Sequence, residues 1–418
     1  MDRLCIPNYS ATLPGTEDSI WVYTGKGPTR AAGKASALME AIERYSSLST
    51  NYCRPFITGS YLQFSKSFNK VLHPAEVVEP VNQEYSEDSI IDFMQGFDIL
   101  NNEVVLVPAQ LALSRYSAKF PATNAFEYSH TNGLASGNVL EEAICHGLCE
   151  VIERDAVSIA DLCASCIPYS ILKRIRGSLK NAGNGGHSFA DIPEDRFVDD
   201  PSLYRDVDIS EVARDFDPIK SLVKRYDHAG ISLLVKDITQ KDIGLSTFVA
   251  SSIEWINQDY GYFAKGYGTH PDSRIALMRA ISESSQTRAV NIQGARDDLK
   301  KIQYKEDDEI YKRKWQFIPS SSLNKTNISS IKEFSEVKTY PNNDILDDIK
   351  LILNRLKKAG LKRAIVIDLT NPKLKIPVVR VIVPGLETFE VAKLFMASES
   401  FIGKRARRHF GQRLSPTK

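Results

Sequence analysis

The chain has 418 residues, 42% of them hydrophobic and 25% charged, which places it among soluble globular proteins and makes it too long for one ordinary core. Its 53 Lys and Arg nearly balance 52 Asp and Glu, so global charge gives no basis for binding nucleic acid or a membrane surface. Met1-Asp2-Arg3-Leu4-Cys5-Ile6-Pro7 lacks the apolar stretch of a signal peptide, no run of about 18 apolar residues is present to span a bilayer, and six scattered cysteines make no disulfide framework; the cytosol is the expected compartment.

In chain order, three stretches share one plan, a glycine-flanked turn leading into a helical pattern. The first is Gly25-Lys26-Gly27, followed by a helix from Pro28 to Arg44 with Ala37, Leu38, Ala41 and Ile42 at helical spacing. Val104 to Pro108 then reads as a short strand. The second stretch is Gly133-Leu134-Ala135-Ser136-Gly137, followed by a helix from Asn138 to Asp155. Gly27 precedes Glu40 by 13 positions and Gly137 precedes Glu150 by 13, and both helices read Glu-x-Ile-Glu-Arg at that point. This is a pseudo-symmetric pair of turn–helix units.

Residues 176–202, rich in Gly, Asn, Asp and Pro, read as a surface excursion or lobe junction. Ile231 to Asp237 and Leu245 to Trp255 read as strands, and Tyr260, Tyr262 and Ala264 alternate with Gly261 and Phe263 as sheet residues do. The third unit is Gly266-Tyr267-Gly268, then Asp272 or Ser273 as a helix cap and a helix to about Val290. Residues 305–345 are polar and aperiodic, an expected insertion, and Ala364 to Asp368 and Val378 to Val383 read as paired core strands. Strands and helices mix without regular alternation, which predicts an α+β fold rather than a doubly wound one. The expected division is a lead-in over 1–22, a main domain over 23–410 with lobes of roughly 23–165, 166–300 and 301–410, and a tail over 411–418.

The helices carry polar stripes. Ser36, Glu40, Glu43 and Arg44 are spaced by four, three and one; Glu142, His146, Glu150 and Glu153 form an equivalent stripe with Arg154 beside it; Arg279, Glu283 and Gln286 fall at i, i+4 and i+7. Many neighbours are Ala, Leu, Met and Ile, so the helices are expected to be buried with their stripes lining an internal cavity. One Glu-x-x-Glu-Arg helix alone is ordinarily a solvated face with weak ion pairs. Three such helices, two of them near-duplicates, point instead to a shared site. Gathered carboxylates need something positive between them, and oxygen ligands in this number suit Mg²⁺. Lys26, Arg154 and Arg279 are candidates to meet phosphate groups.

Gly25-Lys26-Gly27 with Ser36-x-x-x-Glu40-x-x-Glu43-Arg44 resembles the first nucleotide motif of the YcaO family. Glu142 through Glu150-x-x-Glu153-Arg154 resembles the second, and Arg279-x-x-x-Glu283-x-x-Gln286 the third, so the likeness runs from about Tyr23 to about Glu387. It implies a YcaO-type ATP-binding fold with mixed sheets, neither P-loop nor Rossmann. Glu40, Glu43, Glu150 and Glu153 would hold Mg²⁺ against the phosphates of ATP. Ser36, Glu142, Arg154, Arg279 and Glu283, with Lys26 and Gln286, would contact the nucleotide or the metal shell. The implied chemistry is phosphorylation of a backbone amide: a nucleophile adds to the carbonyl, and the oxyanion takes the γ-phosphoryl group.

Family members that form azolines typically end in Pro-x-Pro-x-Pro, whereas this chain ends Arg413-Leu414-Ser415-Pro416-Thr417-Lys418. The likeness therefore favours the thioamide-forming branch, similar to thioglycine synthase of archaeal methanogens. That branch implies the methyl-coenzyme M reductase α subunit as substrate, a TfuA-like partner and a sulfide source, and leaves a homodimer open. The competing readings are an azoline-forming cyclodehydratase subunit and a non-catalytic ATP-binding assembly partner; the latter's mark would be eroded metal ligands, and here all are present.

Other features carry less. Cys145, His146 and Cys149 lack the second Cys-x-x-Cys of a zinc site, and the two cysteines are expected to pack as small apolar residues. Cys163-x-x-Cys166 would need an exposed, activated thiolate to carry sulfur. His146 lies on the acidic stripe and is a candidate site residue. The basic run from Lys404 to His409 reads as a solvated face or a partner contact.

Overall fold

The computed structural model describes residues 2–14, 20–68, 70–77, 85–114, 116, 131–164, 204–254, 263–293, 331–387 and 405. The chain opens with the antiparallel hairpin β1 (Asn8–Pro14) and β2 (Ile20–Lys26), which leads into helix α1 (Arg30–Ser47). Next come β3 (Ile57–Gly59), α2 (Tyr61–Phe68), β4 (Ile91–Asp98), β5 (Glu103–Pro108), the short α3 (Ala109–Ala112), β6 (Leu134–Ser136) and the long α4 (Leu140–Ala164). β7 (Val207–Asp208), α5 (Ser210–Asp215), α6 (Asp217–Ala229), β8 (Ser232–Asp237), β9 (Thr247–Ile253), β10 (Phe263–Thr269) and α7 (Ser273–Gln293) follow. β11 (Lys332–Glu333), α8 (Ile345–Lys358), β12 (Ile365–Asp368) and β13 (Val378–Ile382) complete the described elements.

Six strands form one sheet in the order β3-β4-β12-β13-β6, with β5 also on β4, and all its pairings are antiparallel. β12 and β13 pair as the sequence suggested. This sheet joins strands from residues 57–136 with strands from 365–382, so the first and last expected lobes share it. A second antiparallel sheet runs β10-β9-β8, and β11 pairs β7 in parallel. The arrangement is α+β, as read from the sequence. Part of the polar stretch read as an insertion is ordered: β11 and a tight turn over Phe334–Glu336 lie within it.

The glycine-marked segments differ from expectation in one instructive way. They are strands or strand ends rather than turns: Gly25 and Lys26 lie inside β2, and Gly266 and Gly268 inside β10. A Cβ at Gly25 would collide with the backbone of Ala37 on α1, one at Gly266 with the backbone of Ser284 on α7, and one at Gly268 with the carbonyl of Ala276. Glycine is needed there because helix and strand touch backbone to backbone. Gly133, at φ 77°, makes the bend before β6 where a side chain would strike Val381 of β13.

Each stripe-bearing helix is therefore carried by a different sheet: α1 by the β1–β2 hairpin, α4 by β6 and β13, α7 by β9 and β10. Thr29 caps α1, its hydroxyl accepting from Ala32 N at 3.2 Å, and Asp272 caps α7, accepting from Arg274 N at 2.9 Å. One apolar cluster joins α4, α8 and β13 through Leu148, Ile152, Ile352, Leu356 and Val381. A second joins Leu4 and Ile6 to α6, β8, β9 and α7. On α7 itself, Arg288 is 1% exposed and is held by Asp2 at 2.9 Å and Glu254 at 2.7 Å, so its burial is matched by two carboxylates. The stretches 176–202 and 305–330, Tyr260, Gly261, Tyr262, Cys166 and the tail over 411–418 lie outside the described residues.

Candidate nucleotide and metal site

The three helices line an open cavity of about 880 Å³. α1 lines it with Ser36, Glu40, Glu43 and Arg44, α4 with His146, Glu150, Glu153 and Arg154, and α7 with Arg279, Glu283 and Gln286. The end of β2 adds Tyr23, Thr24 and Lys26. The spacing argument thus brings one stripe from each helix to one space. Glu142 is the exception: it lies one turn before His146, and its carboxylate accepts from Asn138 N at 2.8 Å and Asn138 Nδ2 at 2.9 Å, capping the start of α4 away from the cavity lining.

Five carboxylates face four cationic side chains across this space. Lys26 pairs with Glu283, whose other oxygen accepts from Tyr267 N at 3.4 Å. Arg44 reaches back one turn to Glu40, donating from Nε at 2.9 Å and from its terminal nitrogen at 2.6 Å, both to Oε1. Its guanidinium also lies 5.9 Å from the Tyr23 ring centre. Glu43 is 5% exposed, and its Oε1 accepts from Ser136 N at 2.9 Å and Ser136 Oγ at 2.7 Å. Gln286 donates to Thr24 O at 2.6 Å and Thr24 Oγ1 at 2.8 Å, tying α7 to the end of β2.

Electrostatics divides the carboxylates. Burial, then Glu40 one turn earlier on the same helix, pushes Glu43 well above the ordinary carboxylate range against the pull of Ser136. Burial, with Glu153 and Glu40 adding to it against Arg154, raises Glu150 to about 7. Burial and then Glu283 raise Glu153. Burial acts on Glu283 too, but Lys26 and Arg154 outweigh it and hold that carboxyl below its usual value. His146 falls to about 3 through burial, then Arg279 and Lys26, so its imidazole is neutral. The four cations offset only part of the effect of burial on these three carboxyls, and a divalent cation among them would relieve what remains. The donor set, all hard carboxylate oxygen, fits Mg²⁺.

Cys145 and Cys149 are buried free thiols, as expected of packing residues. Near them, Cys145, His270 and Asp348 bring one donor atom each within 4.8 Å of one another. His270 Nδ1, however, accepts from Asp272 N at 2.9 Å, which puts the proton of the neutral ring on Nε2, 4.0 Å from Asp348. That nitrogen then has no lone pair for a metal, and the trio is a polar contact. Cys163 is at the end of α4.

Residues that spacing did not single out also shape the site. Ser136 and Thr24 hold functional side chains and carry no motif of their own; the one available signal for Ser136 was its place between Gly133 and Gly137. Asp155, fully buried beside Arg154, accepts twice from Arg405 Nε at 2.9 Å and once from Glu387 N at 3.0 Å, while Arg405 also pairs with Asp242. The basic run thus supplies at least one internal anchor.

The family model for "YcaO cyclodehydratase, ATP- and Mg²⁺-binding" matches residues 24–186 and 187–387. The chain belongs to the YcaO family. An uncharacterised protein of Methanothermobacter thermautotrophicus is 31% identical over 94% of this chain and 88% of its own length. An uncharacterised protein encoded in the tfuA 3′ region of Rhizobium leguminosarum bv. trifolii is 28% identical over 93% of this chain and 81% of its own. Among solved structures, YcaO from Methanopyrus kandleri bound with AMPPCP and Mg²⁺ is similar at a TM-score of 0.61 and 21% identity, covering 96% of this chain and 87% of that one. A heterocyclase in complex with substrate and cofactor gives a TM-score of 0.62 at 21% identity over 92% of this chain, which spans about half (49%) of that longer protein. This YcaO chain is accordingly an ATP- and Mg²⁺-binding protein of an amide-activating enzyme family. Among its described residues, no helix is long and apolar enough to cross a membrane.

Proposed function

We propose that this YcaO protein catalyses ATP-dependent thioamidation of a peptide backbone, with the nucleotide and Mg²⁺ held in the three-helix cavity. The observation that carries the site is the convergence of Glu40, Glu43, Glu150 and Glu153 with Lys26, Arg154 and Arg279 on one cleft. In this reading the four glutamates are the Mg²⁺ ligands, and the metal supplies charge compensation for phosphoryl transfer. Lys26, Arg154 and Arg279 receive phosphate oxygens, with Ser36, Glu283 and Gln286 completing the nucleotide contacts. Lys26 must then share its ammonium between Glu283 and the phosphates, which fixes it at the phosphate end.

The chemistry needs no covalent side-chain nucleophile. Hydrosulfide adds to the amide carbon, the carbonyl oxygen takes the γ-phosphoryl group with loss of ADP, and the C–O bond breaks to leave phosphate and the thioamide. The sulfur's proton ends on phosphate, so atoms and charge balance. The protein's part is to hold the carbonyl in line with the phosphoryl group and to keep bulk water from it. A glycine is the target best suited to such crowding, since it has no Cβ. The choice of sulfur over ring closure is supported by a relative encoded beside tfuA and another from a methanogen. The α subunit of methyl-coenzyme M reductase is the proposed substrate, with a TfuA-like protein as partner in sulfur delivery.

Mass spectrometry of that substrate after incubation with ATP and sulfide tests the reading. Thioamidation adds about 16 Da, and ¹⁸O placed in the target amide appears in the released phosphate. A loss of about 18 Da would mean ring closure by a neighbouring Cys or Ser instead, the reaction of an azoline-forming cyclodehydratase. Label retained in the peptide would remove amide phosphorylation altogether.

A further inference from the structure

We propose that Ser136 is a positioning residue for the metal end of the site, acting through Glu43; the proposal rests on reading Glu43 as a Mg²⁺ ligand. Ser136 ends β6, the edge strand of the six-stranded sheet, where it pairs with Val378 of β13 on one side only. An edge strand turns part of its backbone N–H groups away from its neighbour, and these need another acceptor when buried. α1 packs over this edge, and the acceptor it brings is the Glu43 carboxylate.

Both Ser136 donors, the backbone N–H at 2.9 Å and the hydroxyl at 2.7 Å, converge on the same oxygen, Oε1. Ser136 is 6% exposed and Glu43 5%, so neither bond is diluted by bulk water. Two donors on one oxygen fix the rotation of the carboxylate plane and leave Oε2 as the oxygen presented to the cavity that Glu43 lines. A ligand carboxylate held this way meets a metal in one orientation and with no rotamer freedom to lose, which is the usual service of a hydrogen bond behind a metal ligand. His146 of α4 also lies close to the Ser136 backbone. The backbone N–H cannot be removed by mutation, so the hydroxyl is the handle.

The test is titration calorimetry of the full chain with Mg²⁺ at a fixed, saturating concentration of a non-hydrolysable ATP analogue. It compares wild type with Ser136→Ala, Ser136→Thr and Glu43→Gln. Ser136→Ala is expected to raise the Mg²⁺ needed for half-saturation by about 5–20-fold, a change of the size seen when a hydrogen bond behind a metal ligand is lost. Affinity for the analogue at saturating Mg²⁺ should stay near wild type, and Ser136→Thr should recover most of the loss. Ser136→Cys, nearly isosteric with a weaker donor, should shift Mg²⁺ demand in the same direction and serves if the alanine variant does not fold. An unchanged Mg²⁺ demand in Ser136→Ala, with metal binding lost in Glu43→Gln, overturns the role of Ser136 and leaves the ligand reading standing. Equal loss of analogue affinity at all Mg²⁺ concentrations overturns it as well, because a merely structural defect behaves so. Metal binding unaltered in Glu43→Gln would remove the ligand reading itself.

Discussion

α1 and α4 carry the same five-residue pattern, Glu-x-Ile-Glu-Arg, and put it to different physical use. On α1 the first glutamate, Glu40, is about a third exposed at its side chain and already paired with Arg44 of the same helix. On α4 the first glutamate, Glu150, is raised by burial to about 7, with Arg154 pulling the other way. The second glutamates differ too: Glu43 is held by Ser136, while Glu153 lies 4% exposed against Glu283. α1 rests on a two-stranded hairpin and shows an outer face with Leu38 60% exposed, whereas α4 is packed between the six-stranded sheet and α8. A repeated motif fixes which atoms are offered. The surrounding layers decide how charged they are before a ligand arrives.

If this contrast is right, neutralising the two first glutamates should not be equivalent. Glu150→Gln is expected to weaken Mg²⁺-dependent ATP binding by about 100-fold or more, since the surrounding protein desolvates this carboxyl and water replaces it poorly. Glu40→Gln should weaken it by about 10-fold, with Arg44 left free to meet a phosphate oxygen in compensation. Calorimetry on both variants decides the matter, and equal losses would break the comparison.

A smaller effect should appear in the empty protein. Glu150 has a folded pKa raised from 4.5 to about 7, so the native state binds a proton more tightly than the unfolded chain does, and this carboxyl destabilises the fold as pH rises between those values. Replacing it with Gln should stabilise the ligand-free protein above about pH 7, by about 1–2 kcal/mol after allowance for water in the cavity, with the difference vanishing below about pH 4.5. Thermal unfolding of the two proteins across pH measures this. A Gln variant that is less stable than wild type at high pH would show that Glu150 is already compensated. Arg44→Gln is the mildest change: freeing Glu40 of its cation should raise nucleotide-free Mg²⁺ affinity by about 2–3-fold, and a fall would mean that Arg44 holds Glu40 in place rather than competing for it.

The helices and their stripes were legible in the sequence because helical spacing is local: Arg279, Glu283 and Gln286 share a face whatever surrounds them. Strand pairing is not local. Nothing near Val378 says that it will lie beside Ser136, and so nothing marked Ser136 as the partner of Glu43. The glycine pairs misled for a related reason. Glycine is a poor strand former, and only the approach of Ala37 or Ser284 to the strand backbone explains Gly25 and Gly266. Glu142 shows the limit of the stripe argument itself. It shares the face of His146 and Glu150, yet as a first-turn residue it is drawn to the free N–H of Asn138.

Those glycine contacts bear on how the protein can drift over evolutionary time. Where a helix rests on a strand through side chains, a substitution on either side shifts the gap and a second can restore it. Where Gly25 meets Ala37, or Gly266 meets Ser284, no side chain stands between to be exchanged, so the interval is set by van der Waals contact between backbone atoms. The glutamates of α1 and the basic and acidic residues of α7 hang from these joints. Cores and surfaces elsewhere can then diverge while the spacing of these side chains is held. Insertions should accumulate in the connections between sheets and be purged from the stretches that separate each such glycine from the site side chains it spaces, 14 residues between Gly25 and Glu40 and 12 between Gly266 and Arg279.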